Sequence, residues 1–200
     1  MNYPFGVKTS ETKSINYGNR GMNLEYDLNE TNNYYLIQNI AVIYKKPTPI
    51  KIVDVNYPSR KEAIITKAFF QIPSTTDYNG IYKGKYIDFE AKETISATSF
   101  PLANIHNHQI KHLEKIKEHG GIAFLIVRFV KLNKTFLLTT EKLSEFLTNS
   151  TKKSIPINFF VKNGYLIEEK YNPRLDYLSI IEKIYFKGEL KWNKRKILKM

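Results

Sequence analysis

Two carboxylates and a lysine lie within one short stretch, residues 74–94, STTDYNGIYKGKYIDFEAKET. Asp77 comes first, and Glu90 and Lys92 follow, two residues apart in a run of alternating polarity. Alternate side chains of a strand project from one face, about 7 Å apart. Glu90 and Lys92 are therefore expected on one face, with Ile87, Phe89 and Ala91 on the other, apolar one. If the chain from Asp77 folds back through the turn signals Asn79-Gly80 and Lys83-Gly84, the Asp77 carboxylate approaches Glu90. Carboxylates brought together repel unless a cation lies between them. Their hard oxygens select a hard cation such as Mg2+, which keeps several waters and takes phosphate oxygen as a further ligand. The plainer alternative for Glu90 and Lys92 is a solvated surface ion pair, worth under about 1 kcal/mol.

A formal net charge of +12 and a pI near 9.6 favour a polyanionic partner, with nucleic acid ahead of an acidic membrane surface. The absence of cysteine excludes disulfides, thiolate catalysis and zinc-thiolate sites. The N-terminal residues lack an apolar signal core, and the longest apolar run, Ile122 to Val127, is too short to span a bilayer. A cytoplasmic protein without membrane association is the expectation. Two hundred residues suit a single domain with a substantial core.

The elements that must position the acids can be read in order. Residues 1–18 are polar and aperiodic, a flexible tail. A helix is expected over about 20–32 with Asn19 as cap, placing Arg20 in a first turn where phosphate is favoured. Residues 35–44, 50–55 and 63–72 read as strands, joined by extended connections held by Pro47, Pro49 and Pro58. Lys45, Lys46, Lys51, Arg60, Lys61 and Lys67 decorate this region. A helix over about 103–119 ends at Gly120 and Gly121, and places Gln109 on the same stripe as Ile105, Leu113 and Ile116. A glutamine there needs a partner, because an unpaired buried amide costs roughly 1–3 kcal/mol; position alone favours a hydrogen bond to a neighbouring strand. His106, His108, His112 and His119 gather on this helix. His108 and His112 have the i,i+4 spacing of a zinc pair but lack a matched acid, and contact with phosphate is the simpler account.

Residues 121–130 read as a central strand covered on both faces, 134–139 as its antiparallel neighbour, and 141–147 as a short helix. Residues 155–161 read as a strand or an irregular core segment. A last helix is expected with Asn172 as cap and Pro173 at its first position. The strongly basic residues 187–200 form a tail.

An acid followed by Glu-x-Lys at this spacing resembles the PD-(D/E)xK nuclease superfamily, although Thr76 stands where that pattern has proline. With TTDYNG, DFEAKET and the HNHQ segment together, the chain from about Asn16 to Tyr185 resembles the RecU-type Holliday junction resolvases. The resemblance implies a restriction-endonuclease-like α/β fold, a mixed sheet flanked by helices, within a single nuclease domain at 19–186. It also implies a β stalk at about 45–70 that reaches toward the junction centre. It makes Thr75, Asp77, Glu90 and Gln109 a site for Mg2+, with Mn2+ able to substitute. It places Lys92 beside the attacking water or scissile phosphate. DNA contacts are expected at Arg20, Lys45, Lys46, Arg60 and Lys61. The substrate implied is branched DNA, chiefly four-way junctions, cut symmetrically by a homodimer in recombination and repair, with a recombinase as candidate partner. Two other readings stay open: a restriction-like nuclease acting on duplex DNA, and a DNA-binding or strand-annealing accessory module with weak or no nuclease activity.

Overall fold

The computed structural model describes residues 23–71 and 75–186; Arg20 and the tails expected at 1–18 and 187–200 lie outside the described residues. In chain order the elements are α1 (Leu24–Ile37), β1 (Val42–Lys45), β2 (Ile50–Asn56), β3 (Ile64–Phe70), β4 (Tyr78–Tyr82), β5 (Lys85–Thr94) and β6 (Ser99–Pro101). They continue with α2 (Asn107–Glu118), β7 (Ile122–Phe129), β8 (Lys134–Thr139), α3 (Thr140–Asn149), β9 (Ser154–Pro156), α4 (Ile157–Asn163), β10 (Tyr165–Ile167) and α5 (Tyr177–Ile181).

Six strands form one mixed sheet in the order β1-β4-β5-β7-β8-β10, and only β5 and β7 run parallel. A parallel pair requires a crossover, and here α2 makes it, lying over the face it crosses. Every residue of β7 is buried, as its unbroken apolar run requires. One face packs Ile87, Phe89, Phe124 and Ile126 against α1 and α5. The rings of Tyr78, Phe89 and Phe124 stack across three adjacent strands there, with centroids 4.8 Å apart at each step. The other face packs Leu125, Val127 and Phe129 against α2, α3 and α4. Beneath α1 an ion pair is buried: Arg128 on β7 reaches Asp27 at 2.7 Å, and Arg174 holds the same carboxylate.

Among the described residues β2 and β3 pair only with each other, and every one of their residues is exposed. This hairpin occupies the position expected for the stalk. Its feet are joined by a hydrogen bond from the Gln71 N–H to the Pro49 carbonyl at 2.9 Å. Among the described residues no helix is long and apolar enough to cross a membrane.

Several boundaries differ from the sequence reading. α1 runs on to Ile37, because the buried residues Leu24, Leu28, Thr31 and Tyr35 continue a helical stripe through what read as the start of a strand. Its cap is Asn23, whose side chain accepts from the Glu25 N–H. Residues 155–161 divide between β9 and α4. The last helix starts at Tyr177 with Asp176 as cap, so Pro173 precedes it. Asn79-Gly80 is not a turn: both residues are in β4, paired with β1 and β5. A Cβ at Gly80 would run into the Val42 carbonyl and the Ile43 main chain of β1. Gly80→Ala should therefore destabilise the fold by about 1–3 kcal/mol, seen as a lower midpoint in urea; an unchanged midpoint would show that β1 shifts freely.

Candidate active site

The turn at Lys83-Gly84, with φ values of 49° and 75°, closes the β4–β5 hairpin. Two successive left-handed residues match the twist of paired strands and fix their register. Tyr78 therefore faces Phe89, and Asp77, one residue earlier, comes opposite Glu90. The two residues bind each other reciprocally. The Asp77 N–H donates to Glu90 Oε2 at 3.1 Å, and the Ala91 N–H donates to Asp77 Oδ2 at 3.3 Å.

Glu90 is fully buried beneath α2. The Gln109 side-chain amide donates to Glu90 Oε1 at 2.7 Å, while Gln109 Oε1 accepts from the His106 N–H at 3.0 Å and so helps cap α2. Lys92 Nζ lies 2.5 Å from the same Glu90 oxygen. Its burial separates this pair from the solvated surface pair considered above. Thr75, Asp77 and Lys92 line a cleft of about 370 Å³ with Lys45, Lys46 and Glu93, and Glu93 accepts from the first N–H of α1, that of Leu24, at 2.7 Å.

Burial, and next the charge of Asp77, push the Glu90 carboxyl up from its usual 4.5 to about 7, against the pull of Lys92 in the opposite direction. The Asp77 carboxylate is thus close enough to oppose the ionisation of Glu90. All-oxygen donors, two of them anionic, make a set suited to a hard divalent cation.

A third acid, which the motif alone does not single out, lies beside these two. Asp88, two residues before Glu90 on the same face of β5, is also fully buried. It is held by Lys46 Nζ at 2.8 Å, by the Tyr86 hydroxyl at 3.0 Å and by the Thr76 hydroxyl, with His112 Nε2 at 3.3 Å. The strand alternation that placed Glu90 and Lys92 together extends to Asp88, and was the available signal. Lys46, expected on DNA phosphate, turns its ammonium inward to this acid and to Thr76 Oγ1 at 2.9 Å. Lys45 pairs with Glu25 at 2.6 Å on the surface. Arg60 and Lys61 are exposed in the connection at the hairpin tip. His108 and His112 do not form a zinc site: the His108 ring stacks on His106, His112 faces Asp88, and among the described residues no three His, Asp or Glu side chains converge on a metal position.

The family described as RecU, Recombination protein U, matches residues 19–183. The chain belongs to the RecU family. Curated RecU relatives named Holliday junction resolvase RecU include those of Geobacillus sp. (strain WCH70), 53% identical over 92% of this chain and 97% of the relative. Those of Pediococcus pentosaceus, 52% identical over 92% and 97%, and of Staphylococcus aureus, 51% over 90% and 88%, bear the same name. The solved structure of Archaeoglobus fulgidus Hjc, titled a Holliday junction resolvase, has a TM-score of 0.41 and 12% identity over 70% of this chain and 91% of that one, a likeness too slight to bear on the RecU site.

The raised Glu90 carboxyl has a consequence for stability. The folded protein holds this proton at pH values where the unfolded chain has released it. The contribution of Glu90 to stability is therefore complete below about pH 4.5 and is lost as pH rises toward about 7. Glu90→Gln has no such proton to lose. In metal-free buffer, the stability of the variant relative to the parent should rise between these pH values by on the order of 1–3 kcal/mol. Urea unfolding at a series of pH values measures this, and a pH-independent difference would contradict it.

Proposed function

We propose that this protein is a structure-selective endonuclease that resolves four-way DNA junctions by paired, symmetric, metal-dependent cleavage, serving recombination and repair in the cytoplasm. The observation that carries the reading is the meeting of Asp77 with buried Glu90, enforced by strand register, with Lys92 bonded to Glu90 at the edge of an open cleft. Membership of a family whose named relatives are junction resolvases supports the substrate. The net charge of +12 supports a polyanion.

Thr75, Asp77, Glu90 and Gln109 would hold Mg2+, Gln109 directly or through water while also bonding the Glu90 carboxylate; Mn2+ suits the same oxygens. The ion, when bound, supplies Lewis acidity and lowers the pKa of a coordinated water. The rest of the work falls to the chain itself. Main-chain bonds at Asp77 and Ala91 fix where the two carboxylates stand, so little reorganisation is needed when substrate arrives. Lys92 stabilises the negative charge that grows on the phosphate as a water oxygen bonds to phosphorus and one phosphorus–oxygen ester bond breaks, the leaving oxygen taking up a proton. Arg60 and Lys61, at the hairpin tip, reach phosphate away from the cleft. Two incisions related by symmetry call for two sites, which a two-fold pair of chains supplies.

The test is cleavage of a synthetic four-way junction and of the matching linear duplex, with Mg2+, Mn2+ or chelator. Paired symmetric nicks are expected on the junction alone and with metal alone. Equal cutting of the duplex would favour the restriction-like nuclease, and tight binding without cuts the annealing module. Lys92→Ala should slow cleavage at least about 100-fold while leaving junction affinity intact; loss of both would make Lys92 structural. Arg60→Ala should weaken junction binding and lower its logarithmic salt slope by about 1. Unchanged affinity and slope would remove Arg60 from the interface.

A further inference from the structure

Lys46 makes three bonds, two to the segment carrying Asp77 and one to Asp88 on β5. Its N–H donates to the Asp77 carbonyl at 2.7 Å, which extends the β1–β4 ladder one residue beyond Lys45 and Tyr78. Its ammonium donates to Thr76 Oγ1 at 2.9 Å and to Asp88 Oδ2 at 2.8 Å. The Thr76 hydroxyl in turn donates to the other Asp88 oxygen. Asp88 is fully buried, and the Lys46 side chain retains only 19% of its exposure.

A buried carboxylate left without its cation is strongly destabilising, so Asp88 dictates where Lys46 must lie. Asp88 is on β5, two residues before Glu90 and on the same face, whereas Thr76 and Asp77 lie on the chain returning from the hairpin. Lys46 itself begins the outgoing foot, ahead of Pro47, Thr48 and Pro49. The Lys46–Asp88 ion pair and the Thr76–Asp88 hydrogen bond thus join both feet of the hairpin to the strand that bears Glu90.

We infer that Lys46, Thr76 and Asp88 form a positioning cluster that sets Asp77 against Glu90 and keeps that spacing independent of movement in the hairpin. This deepens the nuclease reading and rests on it for its catalytic consequence. Lys46 acts through Asp77 and touches neither phosphate nor the reacting atoms. Its geometric consequence, the order of residues 75–77, holds whatever the chain acts upon.

Lys46→Met alone would strand a buried carboxylate, and the variant could fail to fold. The double variant Lys46→Met/Asp88→Asn removes both charges together, and Lys46→Arg keeps the pair. Amide hydrogen exchange on the full chain reads the geometry directly. In the double variant the Asp77 and Ala91 amides, which bond the two carboxylates, should exchange at least about tenfold faster, while β7 amides keep their protection. With Mg2+, kcat on the four-way junction should fall about 10- to 100-fold, as for loss of a group that orients a ligand. The junction KM should stay within about twofold, and Lys46→Arg should recover most of the rate.

Parental exchange at Asp77 and Ala91 in the double variant would overturn the inference. So would parental exchange combined with weaker junction binding and a salt slope lower by about one, the signature of a lysine on phosphate. If the parent chain cuts neither junction nor duplex, the nuclease reading fails, and the exchange measurement still decides the cluster.

Discussion

Two carboxylates buried side by side on one face of β5 are the constraint that shapes the rest of this structure. Asp88 and Glu90 are removed from water entirely, and neither could remain there without partners brought from elsewhere in the chain. α2 supplies Gln109 and His112, the segment before β4 supplies Thr76 and the Asp77 N–H, the end of β1 supplies Lys46, and β5 itself supplies Tyr86 and Lys92. The crossover that makes β5 and β7 parallel is what lays α2 over these acids. The apolar residues of the same strand, Ile87 and Phe89, face away into the aromatic stack. One strand therefore serves the core on one side and the candidate site on the other.

The two acids are treated differently. Asp88 is surrounded by donors, including a lysine that bonds no other acid among the described residues. Glu90 has Lys92 beside it but also the opposing carboxylate of Asp77, and it holds its proton to about pH 7. Under the proposed function, Glu90, buried beside the open cleft that Asp77 and Lys92 line, is the carboxylate left to receive a cation. The fully compensated neighbour is suited to holding geometry. Under the same proposed function, position two residues along the same strand thus separates a supporting acid from a metal-binding one.

Much of this was legible in the sequence because it follows from period and turn chemistry. The alternation Ile87, Phe89, Ala91 against Glu90 and Lys92 gave the two faces of β5, and Lys83-Gly84 gave the turn that brings Asp77 opposite Glu90. The burial of Gln109 followed from its place on the stripe with Leu113. Asn79-Gly80 misled because a glycine needed for close approach between strands looks the same as one needed for a turn. Tyr35 is an aromatic residue of the kind that favours strands, but its tertiary partners, Asp176 and Tyr177, hold it in a helix. The inward turn of Lys46 could not be read at all. A lysine among surface lysines shows its role only when the buried acid it answers, 42 residues away, is placed beside it.

The hairpin of β2 and β3 carries a mechanical consequence. A two-stranded ribbon without a covered face is marginal in water, and its resistance to bending has to come from where it is fastened. The fastenings are at its root, in the Gln71–Pro49 bond and in the bonds of Lys46. The arm is therefore a cantilever, stiff at the base and increasingly compliant toward Arg60 and Lys61. Under the proposed function, compliance at the tip would let those cations follow a substrate whose arms meet at varying angles, while the carboxylates at the root would not be displaced by the same bending.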